Sequence, residues 1–207
     1  KLKDSYREIL TEDDIRECFQ NDDIKTEMQK VEKQSYFSEM IRCHGINTPA
    51  RYMADSKYVV TFTYHDLPCM VTVEDWCGEE ITEITTDVAY QIGELMARMH
   101  TISLSNKYEI GRRSLFSAAY WNDVDAFSDF CEITKNEKLE QVIVKQIITL
   151  HDEKLKHLRA VWGTLPKAAV QGDISINNLV RADDGLVIFD YNNAGDEVLI
   201  SDLVMEG

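Results

Sequence analysis

Three oxygen-bearing side chains stand at spacings that can serve one reaction. In the stretch QGDISINNLVRADDGLVIFDYNNAG, Asp173 follows Gly172 at the end of an apolar run, Asn178 lies five residues on, and Asp190 lies twelve residues beyond Asn178. The run NLVRADDGLVIFD reads as a hairpin turning at Asp183-Asp184-Gly185. A hairpin sets its two ends side by side, so Asn178 and Asp190 are expected as neighbours, with Asp173 in the loop before them. Two hard oxygen donors suit Mg2+, and a third carboxylate close by can accept a proton from a hydroxyl nucleophile. Those are the parts of phosphoryl transfer, in which the protein positions groups and neutralises charge. Taken singly, each residue also suits a hairpin end, where Asp and Asn bond their own backbone. The spaced set is what favours chemistry.

The surrounding elements must hold that set in place. Thr11 and Asp14 resemble a capping box before a short helix over 12–19. Over 26–44, Met28, Val31, Tyr36, Met40 and Ile41 recur at helical spacing, and Gly45 and Pro49 mark the exit. ARYMA, YVVTFTYH and PCMVTVEDW are rich in strand formers and separated by DSK and DLP, which predicts three antiparallel strands. A helix over 85–102 carries Val88, Ile92, Leu95, Met96 and Met99 on one face. Residues 116–161 read as further helix, followed by the short apolar run KAAV and the hairpin. Strands gather early and helices late, so the expected class is α+β in two lobes, dividing near Gly78.

Composition narrows the partners. The 207 residues include 37 Asp and Glu against 22 Lys and Arg, a net charge of −15. Such a surface repels nucleic acid and anionic lipid, so neither is an expected partner. It is compatible with a cationic small molecule. Cys18, Cys43, Cys69, Cys77 and Cys131 are odd in number and scattered, which fits reduced thiols better than disulfides or zinc ligation. The sequence shows no run of signal-peptide or membrane-span type, and a cytoplasmic location is expected. His44 and His65 have no acid or thiol partner at ligand spacing.

The segments QGDISINN, VIFDYNNAG and SDL together resemble the catalytic segment of the kinase-like small-molecule phosphotransferases, the aminoglycoside phosphotransferase and choline kinase superfamily. The resemblance spans roughly residues 30–205. It implies a two-lobed protein-kinase-like fold, with an antiparallel sheet and one helix in the N-terminal lobe (1–78) and a mostly helical C-terminal lobe (79–207). It implies that Asp173 is the catalytic base or hydroxyl-orienting group, and that Asn178 and Asp190 hold Mg2+ and ATP. Asp202 is then the buried acid that braces the catalytic loop. VTVEDWCGEE resembles the hinge between lobes, where backbone around Glu74 and Trp76 would meet adenine and Trp76 would pack the hinge. IGELMARMHTI resembles the helix after the hinge, with Met99-His100 where the family often has Leu-His, and His100 is read as a packed helix-end residue. The implied activity is transfer of the γ-phosphate of ATP to a hydroxyl of a small aminoglycoside-, choline- or sugar-like acceptor. Ser175 stands where protein kinases keep a lysine, which points away from protein substrates.

The pattern is departed from in three places. Gln171 replaces the usual His. No strand-like run supplies the phosphate-covering loop or its lysine; Lys25 is the nearest, and a segment missing near Ile24–Lys25 is the expected reason. The N-lobe helix acid is assigned to Glu32, although Gln34 lies nearest the usual position and Glu39 lies beyond it. The sequence also stops soon after Asp202, so part of the acceptor side is expected to be absent. Asp123, Asp125 and Asp129 form a solvated helix face by default, in a region that borders the acceptor pocket in the family. The alternative function is a weak or inactive nucleotide-binding scaffold of the same fold.

Overall fold

A computed structural model describes residues 24–64, 67–114, 117, 119–120, 134–135 and 141–205. The expected helix over 12–19 and most of 116–130, with Asp123, Asp125 and Asp129, lie outside those residues. Helix α1 (Ile24–Cys43) leads into short strands β1 (Arg51–Tyr52), β2 (Val60–Tyr64), β3 (Leu67–Val71), β4 (Val73–Glu74) and β5 (Glu79–Glu80). Helices α2 (Thr86–Asn106) and α3 (Gln141–Trp162) follow, then β6 (Lys167–Val170), the hairpin β7 (Leu179–Ala182) and β8 (Gly185–Ile188), β9 (Gly195–Val198) and α4 (Ile200–Met205).

The predicted three-strand set is divided. β2 pairs with β3 (Phe62 opposite Cys69), while β1 pairs with β4 (Arg51 opposite Glu74). Thr72 separates β3 from β4, so PCMVTVEDW is two strands with different partners. The DSK turn forms as expected: Asp55 and Ser56 both take positive φ (52° and 63°) between bridged Ala54 and Lys57, the geometry of a two-residue hairpin turn. The later strands cross the chain. β5 joins β7 and β8 in one sheet, and β6 pairs with β9. Gly78, at the expected division of the lobes, has φ +75°, and a Cβ there would sit 2.6 Å from Val180 Cγ2. Only glycine lets the chain turn this closely over β7.

The two long helices bury different kinds of surface. α2 is capped by Thr85, whose hydroxyl accepts from Val88 N at 3.3 Å. Its buried stripe is Val88, Leu95, Met96, Met99 and Ser103, close to the predicted face, with Ile92 half-buried against the same core. α1 instead buries Gln34, Ser35 and Ser38 beside Phe37 and Ile41, and Tyr36 is exposed. The predicted apolar stripe of α1 is therefore offset, because this helix packs on polar backbone as well as on the core. The main cluster joins Phe37 and Ile41 to Met99, Ile174, Leu179, Ile188 and Tyr191, so the core lies directly beneath residues 171–193. A smaller cluster holds Trp162 against Val198, and Trp162 Nε1 donates to Glu197 Oε1 at 2.8 Å. Among the described residues no helix is long and apolar enough to cross a membrane.

Tyr108 ties the segment after α2 back to α1. Its hydroxyl donates to the Lys33 carbonyl at 2.9 Å, and its ring stacks on Phe37. Burial, and then the charge of Asp196, raise its pKa from 10.0 to about 12. A phenol that holds its proton more tightly when folded contributes stability below its unfolded pKa and loses it as pH climbs through the folded value. We expect the urea midpoint to fall between about pH 10 and pH 12, and to fall less steeply in Tyr108→Phe.

Candidate active site

The candidate catalytic segment starts where β6 ends. Gln171 is fully buried and works as a two-sided brace. Its Nε2 donates to the Asp190 carbonyl at 2.7 Å and to the Phe189 carbonyl at 3.3 Å, and its Oε1 accepts from Asp173 N at 2.7 Å. One neutral amide thus links the backbone of Asp173 to that of Asp190. Gly172 follows with φ +83°, and a Cβ there would meet Asn193 O at 2.6 Å. Its N–H donates to Asp202 Oδ1 at 3.0 Å, while Asp202 Oδ2 lies 2.8 Å from His100 Nε2. Asp202 is 2 % exposed, so its carboxylate is a buried anchor between α2, α4 and the loop. His100 is a hydrogen-bonded member of that anchor, beyond the packing role expected from sequence.

Asp173 itself is half-buried and held on one side only. Its Oδ2 accepts from Asn178 Nδ2 at 2.9 Å and from Asn193 Nδ2 at 3.0 Å. Asn178 Nδ2 also donates to the Asp173 carbonyl at 2.8 Å, across the short 3-10 turn Ile176–Asn178. Phe189 N donates to Asn178 O at 3.1 Å, which places Asp190 one residue beyond the open end of the hairpin. Asp190 takes a left-handed conformation (φ 55°, ψ 77°), and its Oδ1 accepts from Asn192 N at 3.2 Å. The three residues of the predicted set are therefore joined: Asp173 to Asn178 by side chain, Asn178 to Asp190 by the hairpin, and Asp190 to Asp173 through Gln171.

Asp190 opens on a cavity of about 700 Å³ that is also lined by Arg51, Glu74, Trp76, Cys77 and Phe189. Glu74 and Trp76, the sequence candidates for the hinge, thus share a cavity with Asp190. Trp76 is 94 % exposed and stands at the rim, so the hinge packing expected of its ring is absent. Arg51 Nη2 pairs with Glu74 Oε2 at 3.0 Å, and Arg51 Nη1 donates to Ser35 Oγ at 3.0 Å. Burial in the cavity wall and the nearby charge of Asp190 raise the pKa of Glu74 against the opposite pull of Arg51. Glu32 lies elsewhere: its carboxylate accepts from the backbone N–H groups of Tyr58 and Val59 at 2.9–3.0 Å. Gln34 points inward in its place, donating to the Asn192 and Ala194 carbonyls at 2.7 and 2.9 Å.

The donor chemistry fits a magnesium nucleotide. Asn178 commits its amide nitrogen to Asp173, which leaves its Oδ1 for a cation, and Asp190 adds a carboxylate one residue past the hairpin. Glu74 and Asp190 repel each other across the cavity, and a bound cation relieves that repulsion. Among the described residues no three His, Cys, Asp or Glu side chains cluster as an all-protein metal cage. Sequence reasoning missed Asn193 and Arg51, and passed over Gln34, nearest the usual position, in favour of Glu32. The paired amides in DYNNAG were the available signal for Asn193; Arg51, a lone charge in a strand-like run, offered little.

Comparison with known proteins supports the fold. No family model matches the chain, and no curated protein matches it. Among solved structures, the amicoumacin kinase hAmiN in complex with AMP-PNP, Ca2+ and Ami superposes with a TM-score of 0.59 at 15 % identity, covering 86 % of this chain and 52 % of that one. A gentamicin complex of APH(2")-IIa gives 0.48 at 19 % identity, covering 84 % and 58 %. The chain spans about half the length of the solved structures it matches. The likeness to hAmiN shows that this chain shares the α+β fold of that kinase.

Proposed function

We propose that this chain is the core of an ATP-dependent phosphotransferase that moves the γ-phosphate to a hydroxyl of a small molecule. The observation that carries the reading is the hydrogen-bonded unit of Gln171, Asp173, Asn178 and Asp190, placed beside a cavity that Glu74 and Trp76 also line. Asp173 presents the oxygen that neither amide holds, Oδ1, to the acceptor hydroxyl, and takes its proton as the oxygen attacks. Asn178 and Asn193 fix the carboxylate plane, so the base does not have to be oriented during the reaction. Backbone of the hinge around Glu74 and Trp76 receives the base of the nucleotide. Asn178 and Asp190 would hold Mg2+, which supplies charge neutralisation to the transferring phosphoryl group when bound. The net charge of −15 favours a cationic acceptor, such as an aminoglycoside or amino alcohol. The nucleotide analogue and divalent ion bound by hAmiN support the nucleotide and metal parts of this reading.

The test is a panel of hydroxylated acceptors with radiolabelled ATP, using the intact protein and an Asp190→Ala control. Transfer to at least one acceptor, lost in the control together with Mg2+-dependent nucleotide binding, is the expected result. Nucleotide binding indifferent to Mg2+, with no transfer to any acceptor, would select the inactive scaffold instead. Absence of nucleotide binding would end both readings.

A further inference from the structure

A second cavity, of about 730 Å³, lies between the end of α2, residues 108–113, β6 and β9. Four cations line it: Lys107, Arg112, Arg113 and Lys167. A fifth, Lys33, brings its Nζ to within 2.7 Å of where a Cβ would stand on Gly111, another lining residue. Among the described residues the lining acids are Glu109 and Asp196, with Glu27 reaching Arg112 at 3.5 Å, and both Asp196 oxygens already accept, from Ile110 N at 2.9 Å and Gly111 N at 2.6 Å. In a chain with 22 Lys and Arg against 37 Asp and Glu, this excess of positive charge is a local inversion. An independent feature points the same way. Ser103, 1 % exposed, lines the cavity with a hydroxyl that has no hydrogen-bond partner among the described residues. Buried hydroxyls are normally satisfied, and a helical serine has a carbonyl four residues back to use. Nothing in the phosphotransferase reading above employs any of these groups.

We propose that this cavity is a binding site for a phosphate group, either free phosphate or the phosphoryl end of a small metabolite. A tetrahedral oxyanion with two charges offers enough acceptor lone pairs for several cations and a hydroxyl at once; a lone carboxylate does not. Arg112 also pairs with Glu27 at 3.5 Å and Arg113 stacks over the Tyr120 ring at 3.7 Å, which hold the two guanidiniums in place, and their remaining N–H groups suit the planar O–P–O edges. The two exposed lysines supply charge at the mouth, where the surrounding acidic surface would otherwise repel an anion.

The experiment is calorimetric titration of the intact protein with inorganic phosphate, pyrophosphate and acetate, with the nucleotide cavity filled by a non-hydrolysable ATP analogue. Saturable binding of phosphate or pyrophosphate, with acetate at least about tenfold weaker, is expected from the difference in charge and acceptor number. Lys107→Gln/Lys167→Gln should weaken it by about tenfold or more, because both side chains are exposed and their loss leaves the fold intact. Ser103→Ala should weaken it by about threefold to tenfold through one lost donor. Phosphate tighter than pyrophosphate marks the free ion as the ligand, and the reverse marks a phosphorylated metabolite. No saturable binding, equal binding of acetate, or binding unchanged in the double variant would overturn the proposal. Because the nucleotide site is blocked throughout, any of these results leaves the phosphotransferase reading untouched.

Discussion

Asp173→Asn should abolish phosphoryl transfer while leaving nucleotide binding in place. The change keeps the shape of the side chain and an oxygen to accept from Asn178 and Asn193, so the loop retains its form. It removes the one carboxylate oxygen that those amides do not hold and that can take a proton. General-base removal costs roughly 10²–10⁴-fold in rate, and we expect about 10³-fold here. Turnover with a productive acceptor, set beside nucleotide affinity, checks both halves. Activity within a few-fold of the parent would mean that Asp173 only shapes the turn, and affinity lost along with activity would mean that the loop had collapsed.

Asp202→Ala should cost more stability than any other single change in the catalytic segment. The carboxylate is buried, accepts from Gly172 N at 3.0 Å and lies 2.8 Å from His100 Nε2. Removal leaves a buried N–H without a partner, and an imidazole facing an empty space. Breaking a buried pair of this kind costs on the order of 3 kcal/mol. Because Gly172 sits at φ +83° against Asn193 O, its backbone has little freedom to find water instead. Urea unfolding should show the lower midpoint with an unchanged slope. A stability within about 0.5 kcal/mol of the parent, the ordinary size of a surface change, would mean that the anchor contributes nothing.

What was legible in the sequence is what local pattern controls. The hairpin turns at Asp183 and Asp184 between β7 and β8, as the DDG triplet required, and its open end delivers Asn178 and Asp190 together. The face of α2 follows its apolar spacing. The rest depends on long-range pairing. β5, at two residues, and β9, at four, have no periodicity of their own, and each exists only because a distant strand pairs with it. α1 misled for a different reason. Its buried stripe includes Gln34, which exists to satisfy carbonyls at residues 192 and 194, and a hydrophobic pattern has no record of a remote acceptor. Glu32, chosen for its charge, caps the amides of Tyr58 and Val59. The lobe division near Gly78 remains a proposal, supported by the lack of room for any side chain at that turn.

Gln171 carries one more implication. A histidine bridging the same two backbones would gain a proton somewhere between pH 5 and 8 and exchange an acceptor for a donor. The carboxamide has no such alternative: it offers a fixed N–H₂ to residue 190 and a fixed oxygen to residue 173 in acid and in base alike. The joint between Asp173 and Asp190 is therefore deaf to acidity across the neutral range, and any titration in turnover there has to originate in other groups.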